Sequence, residues 1–425
     1  MKGATHDLIV RAQDFFSSAP LAAAFTTITL GVAFAYRFII NLIGEAGYVA
    51  MLAGLVVIAV VVLVARLPII EWRGVLPISL LLFLAWCAAS VAWSVYPLGT
   101  IPAVAEQLSW AFLAIVVALI RDTIQVVRAV GNVLRALLGL SLAIEILSGV
   151  LIDMPIRFLG VHGDLASGGP LQGIFGSRNA LGLVALLAIV TFVVEWRTRS
   201  VTVGVTIGSL ALAAGLALGT RSPTMALVAV ALAAATGVLY VLRQLQPEPR
   251  RKWQFVLLVV VVLLGLGVYV FRAQLFALLG VGGEIEQRYE LWQVMLNGTA
   301  DNALNGWGWA GPWISDQPPY SVFDMMTGHE NPSGLNAYLD VYLQVGLIGL
   351  VLFVVLCTLA LGRAWLIASN RRSVVFVWAP LVLVVLLASA AAESRLLVHS
   401  GWLLLVICAV QAAHGLSWRR KLPER

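Results

Sequence analysis

Residues Ala46–Ala65 read AGYVAMLAGLVVIAVVVLVA, twenty positions without a charge, closed by Arg66. About 20 apolar residues are what a helix needs to span the hydrocarbon core of a bilayer. Outward from this stretch the pattern repeats. Apolar runs fall near 20–40, 46–65, 75–93, 101–120, 129–150, 173–195, 201–219, 223–242, 254–271, 336–362, 374–392 and 396–415. Strand-like alternation is absent, and in lipid a helix satisfies its own backbone hydrogen bonds. The expected fold is therefore an all-α polytopic membrane protein with about 12 transmembrane helices, a single integral membrane domain over 1–425. Within 201–242 the spans are separated by Thr220-Arg221-Ser222-Pro223, which reads as a tight polar turn.

Composition agrees. The 425 residues are 61% hydrophobic and 11% charged, against roughly 25% charged in a soluble domain, and the mean hydropathy is +0.96. So few polar groups cannot cover a soluble surface of this size, which excludes a soluble enzyme, a disulfide scaffold and a disordered tail. Cys87, Cys357 and Cys408 all lie inside apolar runs, so no outer-loop disulfide is expected. The first 18 residues lack the order of a removable signal peptide, and an uncleaved first span is expected.

Basic residues give the orientation. With both termini cytoplasmic, 19 of the 27 Lys and Arg fall on the inner side. Seven fall outside, namely Arg37, Arg157, Arg178, Arg221, Arg272, Arg288 and Arg395, while Arg135 lies within a span. An odd number of spans would break this positive-inside pattern. The net charge of +6 thus reports topology, and no nucleic-acid partner is expected.

The longest loop, 272–335, lies outside between the ninth and tenth spans, and a Gly-rich outer loop covers 151–172. Loops this long are commonly functional or disordered, and the aromatic content of 272–335 argues for order. Within it, Glu284–Leu296 reads as a helix with Ile285, Tyr289, Trp292 and Leu296 on one stripe, facing the membrane surface or the bundle. The tryptophans of Gly306-Trp307-Gly308-Trp309-Ala310-Gly311-Pro312-Trp313 suit a headgroup-level belt or stacking on sugar faces. His329 can serve as a general base near neutral pH. Arg178 with Asn179, Arg221, Arg288, and Glu393 with Arg395 all stand near outer ends of spans. Converging there, arginines would form an anion site, since the guanidinium fork donates in pairs to phosphate. Glu393 could instead neutralise one of them. No metal-ligand spacing and no nucleotide fingerprint is present, so neither metal nor cofactor is expected.

Taken in order, Gly173-Ile-Phe-Gly-Ser-Arg-Asn179, Thr220-Arg-Ser222, Arg288-Tyr-Glu-Leu-Trp292, Gly306-Trp-Gly-Trp309 and Asn336-Ala-Tyr-Leu-Asp-Val-Tyr-Leu-Gln-Val-Gly346-Leu-Ile-Gly349 resemble the O-antigen ligase and O-antigen polymerase superfamily of bacterial membrane glycosyltransferases. The resemblance runs from about Gly173 to Glu393. It implies a GT-C-like helical fold in the cytoplasmic (inner) membrane, working on its extracytoplasmic face. The donor would be a polyprenyl-diphosphate-linked glycan and the acceptor a hydroxyl on lipid, glycan or protein. By the resemblance, Arg221 and Arg288 match the two diphosphate-binding arginines, with Arg178 a third, and Asn336, Glu393 and Arg395 support them. The implied activity is metal-independent, inverting transfer in surface polysaccharide biosynthesis, by a ligase or a repeat-unit polymerase.

One departure stands out. The superfamily pattern has His-Asn eleven residues before the first glycine of Gly-x-x-Gly, and this chain has Leu335-Asn336. His329 lies six residues earlier and is expected to supply the imidazole, with Glu330 or Asp340 as other candidate bases. From a different class, a lipid-linked saccharide flippase would also use an arginine-lined cavity but would need no base.

Overall fold

A computed structural model describes residues 13–67, 76–166, 168–270 and 284–415. The sequence expectations resting on Lys2, Arg11, Arg73, Arg272 and the basic C-terminal tail, and on 272–283 of the long loop, lie outside the described residues. Among them the helices are α1 (Ala19–Arg66), α2 (Ile78–Ala89), α3 (Pro97–Ile120), α4 (Thr123–Ile146), α5 (Arg178–Arg197), α6 (Val203–Gly219), α7 (Pro223–Gln244), α8 (Pro247–Val270), α9 (Glu284–Gly298), α10 (Tyr320–Thr327), α11 (Ala337–Asn370), α12 (Trp378–Ser389) and α13 (His399–Gly415). The only β pairing among the described residues is an isolated bridge between Ile156 and Val161. Six of the helical segments are long and apolar enough to cross a membrane, and α2, α6 and α12 are shorter apolar helices.

At 1.5 Å per residue a straight α1 would run roughly 70 Å, far beyond any bilayer. It does not run straight. Gly44 takes φ 75° and ψ 172°, and the Arg66 Nη2 donates to the carbonyls of Ser17 at 2.7 Å and Ser18 at 3.0 Å. The two ends of α1 therefore meet, and the runs 20–40 and 46–65 form a helical hairpin folded at Gly44. Glycine suits that turn because a positive φ costs it nothing.

Side-chain bonds tie further helix ends together. Arg243 at the end of α7 donates to the carbonyls of Ala368 and Arg372, and Arg250 at the start of α8 reaches Asn370 Oδ1 at 3.2 Å. Gln411 near the end of α13 meets Thr123 and the carbonyl of Arg121. At the opposite, loop end, Leu171 N bonds the carbonyl of Gly219 at 2.9 Å, and Asn336 Nδ2 donates to the carbonyl of Ala391 at 3.1 Å.

The centre of the bundle is α5, α12 and α13, with Trp110, Trp378, Trp402, Phe83 and Phe353 fully enclosed. α6, α7 and the second half of α1 instead present Leu218, Leu227, Val230, Val57 and Ile58 outward, the apolar exposure that lipid rather than water accommodates.

α11 is broken at Val345 and Gly346, the latter with φ 69° and ψ −170°. The break receives the loop: Trp307 N and Gly308 N bond the carbonyls of Leu343 and Gln344, and Leu347 N bonds that of Ala303. Only glycine fits at 346, since a Cβ there would lie 2.2 Å from the Leu304 carbonyl oxygen. Gln344, wholly buried, completes the joint by accepting from Ala310 N and Gly311 N and donating to the Gly311 carbonyl.

Candidate functional site at the loop end

Four segments converge at the loop end through one polar network. α5 begins at Arg178 because Ser177 caps it, its Oγ accepting from Ala180 N at 3.2 Å. That fixes Asn179 in the first turn, where its Nδ2 donates to Glu393 Oε1 at 2.5 Å and its Oδ1 accepts from Ser222 Oγ at 2.6 Å. Ser222 in turn caps α7 through Met225 N. Arg288 on α9 donates to the same Glu393 Oε1 at 3.2 Å and to the carbonyl of Ala392. Arg395 Nη2 reaches Ser177 Oγ at 3.1 Å.

Of the expected site residues, Arg288, Glu393 and Arg395 are thus tied into this network directly. Arg178 and Arg221 occupy positions next to its members Asn179 and Ser222. Arg221 is exposed, with a left-handed φ of 47°, so its side chain leaves the α6–α7 turn in a direction a helical residue would not take. Its Nη2 comes near Gly168 of the other loop. The Glu145 carboxylate, buried in α4, accepts from Gln172 N at 3.0 Å and Gly173 N at 2.7 Å, anchoring the loop ahead of Arg178.

Asn336 caps α11, accepting from Tyr338 N and Leu339 N, while its Nδ2 holds Ala391 and its own N–H meets Ser394 Oγ. It positions the segment that carries Glu393 and Arg395. Asp340, one turn on, accepts from Trp313 Nε1 at 2.6 Å, from Gly334 N at 3.0 Å and from Ser394 Oγ. With 1% exposure and every bond used for folding, Asp340 is a hub of the loop and not a reachable base. Tyr320 lies in the same packing. Burial, reinforced by the nearby Asp340 charge, pushes its hydroxyl up, so it stays protonated.

His329 is exposed, and its Nε2 stands 3.2 Å from Gln287 Nε2, one residue before Arg288. Among the described residues it makes no hydrogen bond or ion pair with the arginines themselves. Its neighbour Asn331 is fixed by Asp324 and Thr327, so the segment 329–334 folds back as a turn. Leu335, where the superfamily pattern has histidine, has a left-handed φ of 49° and packs against the loop's own apolar cluster. Glu330 is exposed.

Two expectations about the loop need correction. The buried face of α9 is Leu291 and Met295, each 1% exposed, whereas Tyr289 and Leu296 of the expected stripe stay exposed. The helix turns toward the loop's core of Trp313, Tyr320, Phe323 and Leu343. The tryptophans of 306–313 are not a belt either. Trp309 and Trp313 are buried, and Trp307 Nε1 donates to the Gly298 carbonyl at 3.0 Å. They wedge the loop into the break of α11.

Two charged pairs had no recognisable signal in the sequence. Arg135 is bound by Glu195, Ser209 and Asn132 and lies 4.8 Å over the Phe192 ring. His399, at the start of α13, places Nε2 3.1 Å from Glu106 Oε1 on α3. Each pair joins helices far apart in the chain, and no periodicity or short motif links such positions.

These features define the class: a polytopic, all-α membrane protein whose loop end gathers arginines around a shared carboxylate and amide. Residues 208–354, about a third of the chain, match the family described as O-antigen ligase. This supports placing the chain in the O-antigen ligase and polymerase superfamily, and the matched segment carries Arg221, Arg288, His329 and Asn336. No curated protein matches the chain.

Proposed function

We propose that the protein is a glycosyltransferase of the O-antigen ligase type, which moves a glycan from a polyprenyl-diphosphate carrier to an acceptor hydroxyl. The observation that carries this reading is the Arg288–Glu393–Asn179–Ser222 network, which crosses between the matched segment and the rest of the bundle. In this reading the chain crosses the inner membrane about twelve times in a GT-C-like arrangement, both termini are cytoplasmic, and the loop end faces outward. The meeting of Ser17, Ser18 and Arg66 at one end of the α1 hairpin supports an even pairing of the first two spans.

The donor diphosphate takes the place of Glu393 on Arg288 and binds Arg221, with Arg178 as a further donor. Negative charge on the diphosphate grows as the glycosyl bond breaks. Preorganised guanidinium donors therefore stabilise the transition state more than the ground state. The acceptor oxygen attacks the anomeric carbon from the opposite face, giving inversion, and His329 takes its proton. General-base help of this kind is worth about 10²–10⁴-fold. A His329→Ala enzyme that transfers at the full rate would remove His329 from the mechanism.

The reaction is tested in a deletion strain by analysing surface glycan and carrier-linked intermediates together. Long chains held on the carrier identify a ligase, and single repeat units a polymerase. Intermediates trapped on the cytoplasmic side would overturn transfer in favour of a flippase.

A further inference from the structure

Beside the network, residues outside the matched segment line a further cleft. A cleft between α1, α5, α12 and the start of α13 is walled by Phe34, Phe175, Leu183, Val184, Leu187 and Leu386, with Arg37, Arg395 and His399 among its polar groups. No carboxylate lines it among the described residues.

Three nitrogen groups at this cleft lack partners. His399 is 6% exposed and its buried Nδ1 has no hydrogen-bond partner among the described residues. The buried Nε of Arg395 has none either. Arg37 is exposed and makes no ion pair among the described residues. Buried polar groups are normally satisfied, so two unpartnered nitrogens at one cleft call for a ligand that binds there.

His399 is held in a strained pose. Its φ is 45°, a costly region for a residue with a Cβ. The Tyr36 ring stacks on the imidazole at 3.6 Å with an interplanar angle of 7°. Glu106 Oε1 accepts from both the Tyr48 hydroxyl at 2.6 Å and His399 Nε2 at 3.1 Å, and Trp110 Nε1 donates to the Tyr48 oxygen at 3.1 Å. Nε2 therefore carries a proton toward Glu106. With the proton on Nε2, Nδ1 is left as an acceptor with no partner among the described residues.

From this geometry we infer that the cleft binds the phosphate group of an apolar-tailed ligand, with Arg37 and Arg395 Nε as donors, His399 Nδ1 accepting from a phosphate or headgroup hydroxyl, and the α1, α5 and α12 side chains against the tail. Guanidinium donors suit phosphate oxygens, and the apolar wall excludes a fully hydrated anion. The phosphate could belong to an isoprenyl carrier or to a bilayer headgroup. Arg395 also touches the neighbouring network through Ser177, whereas Arg37, Glu106 and His399 take no part in it, so Arg37 and His399 report the seat separately from transfer.

The test is binding by the full-length protein in a sugar detergent free of phosphate, read by native mass spectrometry. The probes are farnesyl diphosphate, farnesol and phosphatidylglycerol. An Arg288→Gln background removes the neighbouring network's principal donor. In that background Arg37→Gln and His399→Gln should each weaken farnesyl diphosphate at least about tenfold and leave farnesol unchanged. Arg37→Gln alters an exposed side chain, and His399→Gln retains an amide donor for Glu106, so a monodisperse elution profile verifies folding in both. Farnesyl diphosphate held against excess phosphatidylglycerol assigns the seat to an isoprenyl carrier. Displacement at equal concentration assigns it to a headgroup. Unchanged farnesyl diphosphate affinity in both variants overturns the inference. A strain in which transfer proves absent while these losses are seen would sink the proposed function and leave the seat standing.

Discussion

Two arginine–glutamate pairs lie in different parts of the bundle, and their surroundings differ in kind. Arg135 and Glu195 are closed in by Ser209, Asn132 and the Phe192 face, and Glu195 is wholly buried. Helix packing there leaves no room, since a Cβ on Gly131 would stand 2.5 Å from the Glu195 carboxylate. Arg288 and Glu393 instead meet where four chain segments end, and Glu393 divides one oxygen between Arg288 and Asn179. The first pair is a staple between α4 and α5. The second joins α9 to the segment before α13 and shares its carboxylate with Asn179 of α5. In the proposed function the donor diphosphate replaces that carboxylate, so the same two residue types would serve packing in one place and binding in the other.

Substitution should separate the two. Glu195→Ala leaves the Arg135 charge uncompensated in the bundle, and breaking a buried pair in this way costs about 3–5 kcal/mol. Thermal unfolding of the detergent-solubilised protein should show this as the largest loss of stability in the set. Replacing both partners, Arg135→Met with Glu195→Met, should recover most of it. If Glu195→Ala melts like the wild type, the staple reading is wrong.

Arg288→Gln should lower melting by less than Glu195→Ala, because Asn179 still donates to the buried Glu393, and should slow transfer. Loss of one charged donor to the leaving diphosphate costs about 2–4 kcal/mol, roughly 30- to 1000-fold in kcat/KM. A melting drop as large as that of Glu195→Ala, with normal turnover per folded molecule, would erase the difference between the pairs.

A smaller effect is expected at Asn336, which caps α11 and holds Ala391 beside the second pair. Asn336→Ala should lower stability by about 0.5–2 kcal/mol, as lost caps do, and raise KM for the donor because the Glu393 segment loosens. Loss of stability without a KM change would confine Asn336 to the cap.

How much of this could be read beforehand follows from the range of the forces involved. Apolar length is local, so the runs at 20–40 and 46–65 were legible, as was the polar turn at 220–223. Capping is also local, and Ser222 and Asn336 sit at the expected starts of the runs 223–242 and 336–362, whereas α5 begins at Arg178, past the expected 173. The gathering of Arg288 with Glu393 was legible only as a possibility, because outward charges on separate spans must face one end of the bundle. What escaped is long-range pairing. Glu195 on Arg135 and Glu106 on His399 join distant helices, and single charged residues in apolar runs carry no mark of their partners. Tryptophan is ambiguous for a related reason: its ring suits a headgroup belt and a buried core equally, and only the fold sets Trp309 against Phe83 and Trp313 in the loop core. Leu291 and Met295 lie one residue off the expected α9 stripe, a shift fixed by the loop core and not by the helix's own periodicity.

The most direct test of the central claim uses purified wild-type protein with a polyprenyl-diphosphate-linked glycan and an envelope fraction that supplies the acceptor. Glycan transferred and isoprenyl diphosphate released are counted in the same reaction. The account predicts one carrier released for each glycan transferred, with both lost together in the Arg221→Gln, Arg288→Gln double variant. Transfer at the wild-type rate in that variant would contradict it.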